Sequence, residues 1–261
     1  MSKLAEICAR RRTDVAADKA RRPLADLQAM AAAQPPARGF RRTLQAAGIG
    51  VIAEIKRASP SQGALFDSAD AATTARAYAA AGARALSVLT ETHYFGGRLQ
   101  DLIDARAAVD IPLLRKDFVV DPYQIVEARA VGADAVLLIV ASLGSELPVY
   151  LAAARDASLD ALVEVHDEAE LEMAVRCGAE TIGINNRNLK DLSIDLAVTE
   201  RLMRHIPPGI VVVAESGIDS AADVDRMRRT GADALLIGSA LMRGGDPGTA
   251  LKALLAQPLA A

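Results

Sequence analysis

The sequence predicts an α/β fold: a single-domain, closed (β/α)8 barrel of the TIM type carrying an N-terminal helical extension. Two observations carry that expectation. A glycine-centred tripeptide recurs four times ahead of apolar runs, and eight such runs are spaced along the chain with helix-periodic segments between them. The recurring unit reads Ala81-Gly82-Ala83, Val131-Gly132-Ala133, Cys177-Gly178-Ala179 and Thr230-Gly231-Ala232. Its glycine suits the left-handed position that closes a helix, so each copy is an αβ joint with a strand about two residues later.

The elements follow in order. Residues 1–45 hold Leu4, Ile7, Cys8 and Val15 at helical spacing beside Arg10, Arg11, Arg12, Arg21 and Arg22, and are expected to form one or more helices. Those arginines either make a solvated face or cover a mouth of the barrel. Residues 46–261 make the barrel itself. Its strands are expected at 51–55, 85–89, 112–115, 135–140, 161–165, 181–184, 211–214 and 234–237, with helices at 69–80, 123–130, 168–176 and 221–229 among the connections. The competing arrangement is an open doubly wound sheet, which usually carries G-x-G-x-x-G after its first strand. No such motif stands there.

Composition excludes several classes. At 261 residues and 51% hydrophobic content the chain can bury one large core without a second domain. With 30 basic against 33 acidic residues the net charge is −3, which gives no bulk electrostatic reason to bind nucleic acid or an anionic membrane. A small-molecule partner is expected. Cys8 and Cys177 show neither metal-ligand spacing nor a disulfide framework. No apolar run reaches the roughly 18 residues of a membrane span. Glu6 and Asp14 sit among the N-terminal arginines where a signal peptide would need an apolar core. The expectation is a soluble, cytoplasmic protein, a monomer or weak homo-oligomer.

Strand parity points to the chemistry. Alternate residues of a barrel strand face inward, and those near the C-terminal end reach the open mouth. One face of the first strand carries Ile52, Glu54 and Lys56; of the third, Leu114, Lys116 and Phe118; of the fifth, Leu162 and Glu164. The sixth contributes Gly183, Asn185 and Arg187, and the seventh Val211, Val213 and Glu215. Each set runs from apolar or small to polar or charged. Loops beginning at strand ends would make any one residue polar, but five strands repeat the trend on one parity. Three cations (Lys56, Lys116, Arg187) face three anions (Glu54, Glu164, Glu215), so the cluster is internally compensated and a catalytic candidate.

Ser216-Gly217-Ile218 after the seventh strand and Gly238-Ser239-Ala240 after the eighth suggest a phosphate site, because glycine lets backbone N–H groups approach an anion and a short helix starting near Ser239 would add its positive end. Ser59-Pro60-Ser61-Gln62-Gly63 makes a loop after the first strand long enough to close over substrate, and its Ser59, with Lys56, could reach a phosphate. Tyr94, Phe95 and Phe118 follow the second and third strands and would form an apolar wall for an aromatic ring, unless they serve ordinary loop packing. His93, His166 and His205 lack metal spacing and are each expected at the surface.

These residues together resemble the indole-3-glycerol phosphate synthase family of tryptophan biosynthesis. The resemblance rests on Val51-Ile52-Ala53-Glu54-Ile55-Lys56 with Ser59-Pro60-Ser61, on Leu114-Arg115-Lys116-Asp117-Phe118 and on Leu162-Val163-Glu164-Val165-His166. It continues in Gly183-Ile184-Asn185-Asn186-Arg187-Asn188-Leu189, Ala214-Glu215-Ser216-Gly217-Ile218 and Ile237-Gly238-Ser239, so that it spans nearly the whole chain. One departure is Gln62, where many members carry a basic residue; it bears on loop contacts and not on the core chemistry.

The resemblance implies conversion of 1-(2-carboxyphenylamino)-1-deoxyribulose 5-phosphate into indole-3-glycerol phosphate, carbon dioxide and water, with no cofactor and no metal. Lys116 would be the general acid of ring closure. Glu164 would be the base of the dehydration, with Lys56 or Lys116 as its acid. Glu54, Asn185 and Glu215 would position hydroxyls and catalytic groups, and Arg187 and Ser59 would lie near the substrate's carboxylate end or loop. Phe95 and Phe118 would hold the anthranilate ring; Ser216, Gly217, Gly238 and Ser239 the phosphate. Pro60 and Leu236 complete the substrate-binding set. Two other readings remain: an isomerase of the phosphoribosylanthranilate type, which needs only one acid and one base, and a non-catalytic phosphosugar-binding barrel, which would not need Lys116 or Glu164.

Overall fold

In the computed structural model, which describes residues 2–59, 63–64, 70–188, 191–243 and 245–256, eight parallel strands close into a barrel. They are β1 (Gly50–Ile55), β2 (Ala85–Leu89), β3 (Leu113–Lys116), β4 (Ala135–Ile139), β5 (Asp160–Val165), β6 (Thr181–Asn185), β7 (Val211–Glu215) and β8 (Ala234–Ile237). Each pairs with its neighbour in the chain, and β1 closes the ring by pairing with both β2 and β8. The open-sheet alternative is thereby excluded. All eight strands fall where hydrophobic periodicity put them, with small shifts at the ends. The third begins at Leu113, since Pro112 has no N–H for the ladder. The fourth stops at Ile139, where the chain turns directly into a helix and Ser142 Oγ donates to the Ile139 carbonyl.

Helices α1 (Lys3–Arg21), α2 (Leu24–Ala32) and α3 (Phe40–Leu44) precede β1. Between strands lie α4 (Ala71–Ala80), α5 (Leu99–Ala108), α6 (Tyr123–Ala130), α7 (Val140–Leu143), α8 (Leu147–Asp156), α9 (Glu168–Arg176), α10 (Ala197–Leu202) and α11 (Ala221–Thr230), with α12 (Ser239–Met242) and α13 (Pro247–Leu255) after β8. The four recurring glycines do end helices in the left-handed region, with φ of 96° at Gly82, 89° at Gly132, 79° at Gly178 and 88° at Gly231.

Period two divides the core. Val51, Ala53 and Ile55 point outward with Leu86, Val88 and Val163 against the helices. Ile52, Leu114, Leu137, Leu162, Val213 and Leu236 point inward and fill the barrel. Phe40 and Leu44 of α3 join the inner cluster with no exposed surface, and the backbone N–H groups of Arg38 and Arg41 donate to Asp134 and Asp160 near the starts of β4 and β5. Helix α3 is thus the plug of the N-terminal end. Helix α1 lies at the other end: Ser2 Oγ caps it by accepting from Ala5 N–H, its Ile7, Cys8 and Val15 are buried, and Arg11 makes two 3.0 Å hydrogen bonds to Asp117 just past β3. Both readings of the arginines hold, for different residues: Arg11 is 7% exposed and covers the mouth, while Arg10, Arg12, Arg21 and Arg22 are solvated. Among the described residues no helix is long and apolar enough to cross a membrane.

Candidate active site

The inward charges of β1, β3, β5, β6 and β7 meet at the C-terminal mouth. Lys116 Nζ lies 3.5 Å from Glu164 Oε2 and 3.3 Å from Glu215 Oε2. Lys56 Nζ lies 3.1 Å from Glu54 Oε1 and donates to Ser239 Oγ at 3.1 Å. The two lysines, both candidates for the acid of the dehydration, therefore face different partners. Strand register produces this convergence, because Glu164 stands beside Gly183 and Asn185 beside Glu215. Two glycines make room for the carboxylates: a Cβ on Gly183 would fall 2.1 Å from Glu215 Oε1, and one on Gly238 would fall 2.4 Å from Glu54 Oε1. Asn185 helps to hold the Glu164 carboxyl down and accepts the Arg187 backbone N–H at 3.0 Å.

Burial makes these charges interact strongly. Burial opposes the Lys116 ammonium, yet Glu215, Glu164 and Glu54 outweigh it and hold the group well above the usual lysine range. Burial would also raise Glu164, but Lys116 and His166 overcome it and keep the carboxyl well below its ordinary value. Glu215 goes the other way. Burial and the neighbouring Glu164 outweigh Lys116 and push it up to about 7, and its Oε1 is buried with no hydrogen-bond partner among the described residues. One ammonium between two carboxylates stabilises one of them well, so the second takes up a proton near neutrality.

A pocket of about 190 Å³ surrounds Lys116. Phe95 and Phe118 form its aromatic wall, with ring centroids 6.0 Å apart at 35°. Leu236 lines the floor, and Ser216, Gly217, Gly238 and Ser239 line the opposite side. Ser216 and Gly217 turn consecutively left-handed, with φ of 65° and 77°, an uncommon conformation for serine. Arg187 also lines the pocket, its Nη1 donating to the Leu192 carbonyl at 3.2 Å. Tyr94 does not line it; its hydroxyl donates to Glu6 of α1 at 2.8 Å. Ser59 belongs to a two-residue strand paired with Gly63, and Pro60 and Gln62 lie outside the described residues.

Several contributors were not expected from the sequence. Lys3, Leu4 and Ile7 of α1 line the pocket. Glu91, fully buried, accepts the backbone N–H groups of His93, Tyr94 and Phe95 at 2.7–3.0 Å and so fixes the loop that presents Phe95. Asp117 accepts from Arg11, Arg115, Thr90 and the Phe118 N–H, which locks the end of the Lys116 strand to α1. His166 corrects an expectation: it is not a surface histidine, because its side chain, 12% exposed, sits between Glu164 and Glu170. It stands two residues past Glu164, so extending the inward parity by one step would have found it. His93 and His205 are exposed as expected.

The fold and the site define a class: a (β/α)8-barrel enzyme with a buried lysine–carboxylate cluster between an aromatic wall and two glycine loops at the mouth. The family model for indole-3-glycerol phosphate synthase matches residues 4–254. The chain is 49% identical over 253 residues to indole-3-glycerol phosphate synthase 2 of Streptomyces coelicolor, covering 97% of this chain and 98% of that protein. It is 52% identical to the indole-3-glycerol phosphate synthase of Nocardioides sp., with 97% of each chain covered. A thiamine phosphate pyrophosphorylase structure from Pyrococcus furiosus shares the fold alone, with a TM-score of 0.60 at 19% identity over 80% of this chain and 94% of that one. The chain belongs to the indole-3-glycerol phosphate synthase family, and with it to the carboxy-lyases.

Proposed function

We propose that the chain converts 1-(2-carboxyphenylamino)-1-deoxyribulose 5-phosphate into indole-3-glycerol phosphate, carbon dioxide and water, and that Lys116, Glu164 and Lys56 carry its proton transfers. The observation that carries this reading is the Lys116 ammonium held between Glu164 and Glu215 in a pocket with paired phenylalanines on one side and glycine loops on the other.

In ring closure, the ring carbon bearing the carboxylate attacks the ribulose carbonyl, and the oxygen that gains the electron pair takes a proton from Lys116. The carboxylates around Lys116 keep that proton in place at neutral pH. Carbon dioxide then leaves, its bonding pair returning to the ring. Dehydration removes a proton from carbon and expels hydroxyl as water. Glu164, ionised beside Lys116, suits the base. Lys56 suits the acid, since Lys116 has by then given up its proton and Lys56 has its own carboxylate partner, Glu54.

Glu54, Asn185 and Glu215 would orient these groups and the substrate hydroxyls, and Arg187 and Ser59 would meet the carboxylate end or loop. Phe95, Phe118 and Leu236 suit the anthranilate ring, and Ser216, Gly217, Gly238 and Ser239 the phosphate. Pro60 remains part of the same proposal. So do a single folding domain that includes residues 1–45, supported by the Arg11–Asp117 pair and the Phe40 plug, and a cytoplasmic monomer or weak homo-oligomer that uses neither cofactor nor metal. The test is to mix purified protein with the substrate in a metal chelator and follow indole-3-glycerol phosphate by ultraviolet absorbance or fluorescence. Product formation is expected. No product would favour the isomerase.

A further inference from the structure

Residues outside the proposed proton path also touch it. The His166 ring approaches Glu164 from the side away from Lys116: Nε2 lies 3.3 Å from Glu164 Oε1 as an ion-pair contact without hydrogen-bond geometry, whereas Lys116 stands against Oε2. The two oxygens of one carboxylate are thus divided between two nitrogen groups. The ring is aimed by Glu170, whose Oε2 lies 2.9 Å from His166 Nδ1 and accepts the His166 backbone N–H at 2.9 Å. Glu170 is fixed in turn, because its own N–H donates to Asp167, the N-cap of α9. The imidazole is therefore held by backbone geometry and not by the substrate pocket.

We propose that His166 is a positioning residue for the dehydration base: it holds Glu164 ionised and in place after Lys116 has given up its proton. The inference rests on the reading of Glu164 as that base. With Lys116 as its sole cation, Glu164 would lose its compensating charge when ring closure consumes the lysine's proton, and a nearly buried carboxylate without a cation protonates readily. His166 removes that dependence. Burial disfavours an imidazolium there, but Glu164 and Glu170 outweigh it and lift His166 to about 10, so the ring is charged at neutral pH. Among the described residues, the charged and polar groups facing Glu164 include Lys116 from β3, His166 beyond β5, Asn185 from β6 and Glu215 from β7. Those around His166 are Glu164, Glu170 and, across the cavity of about 510 Å³ beside it, Asp167, Arg187, Asp195 and Arg201.

The test is the pH profile of kcat for His166→Gln and Glu170→Gln beside the unaltered protein, with thermal melts to verify folding. The cation favours ionised Glu164, so its loss raises the Glu164 pKa and moves the acid limb to higher pH. A shift of about one pH unit is expected for His166→Gln, the size an opposite charge at this distance produces. At a pH on the acid limb kcat falls by about tenfold while KM changes less than twofold. Glu170→Gln, which leaves the ring in place but weakens its charge, should shift the limb in the same direction by less, and it decides the matter if His166→Gln does not fold. An acid limb that stays put in the folded variants overturns the proposal, whatever happens to the plateau. Glu164→Gln separates the two levels: retained product formation there removes Glu164 as the base, whereas lost activity with an unmoved limb in His166→Gln removes only the role of His166.

Discussion

At the N-terminal end of the barrel, Asp134 accepts the backbone N–H groups of Arg38 and Leu113 at 2.8 Å and the Arg106 guanidinium at 3.0 Å. At the C-terminal end, Glu164 and Glu215 share one lysine ammonium at 3.5 and 3.3 Å, and one oxygen of Glu215 has no hydrogen-bond partner among the described residues. Both sets of carboxylates are buried on the same scaffold. The first is met by two backbone N–H donors and a guanidinium at the sealed end of the barrel. The second depends on a side-chain proton that chemistry can move. The ends differ in filling as well: Phe40 and Leu44 close the bottom with apolar side chains, while the top keeps an open pocket under α1. One end holds the barrel together, and the other is left electrostatically unsettled, which is where acid–base chemistry is possible.

Four substitutions or titrations would break or sharpen that contrast. The largest effect is expected at the top: Lys116→Ala should lower kcat by roughly 10³-fold or more, the scale of a lost general acid, while inorganic phosphate still competes for the glycine loops. At the bottom, Phe40→Ala should cost about 4 kcal/mol in denaturant unfolding, since a fully buried ring leaves a cavity, and should leave kcat of the folded fraction near its original value. Asp134→Ala should cost about 3 kcal/mol in the same measurement, because the half-buried Arg106 and two backbone donors lose their acceptor.

The smallest effect concerns Glu215. Its folded-state pKa of about 7 lies above the ordinary 4.5, so the folded protein favours the protonated form. The associated stability is fully present below 4.5 and is lost as pH rises through about 7. Thermal melts across that window should therefore show the unaltered protein losing stability with rising pH relative to Glu215→Gln. Parallel curves would mean that the top is as settled as the bottom.

The barrel was legible because its signals are local. Hydrophobic runs and helix-closing glycines repeat in the chain, and every strand formed within a residue or two of where they pointed. The charged centre was legible for a related reason: parity within Val51-Ile52-Ala53-Glu54 or Leu162-Val163-Glu164 fixes which side chains face inward. What escaped depends on contacts between distant segments. Whether Arg11 or Arg12 would be buried turns on where α1 lies over the mouth, and no periodicity records that Asp117 waits there. Glu91 and His166 lie just beyond strand ends: His166 keeps the inward parity of Glu164 for one more step, and each is fixed by hydrogen bonds of the turn that follows.

The most direct test of the contrast is single-turnover formation of indole-3-glycerol phosphate by Lys116→Ala and Asp134→Ala, at saturating substrate and with folded protein of each. The expected result is that Lys116→Ala forms product slower by three orders of magnitude or more while Asp134→Ala keeps pace with the unaltered protein. Product formed at an unchanged rate by Lys116→Ala would contradict the account.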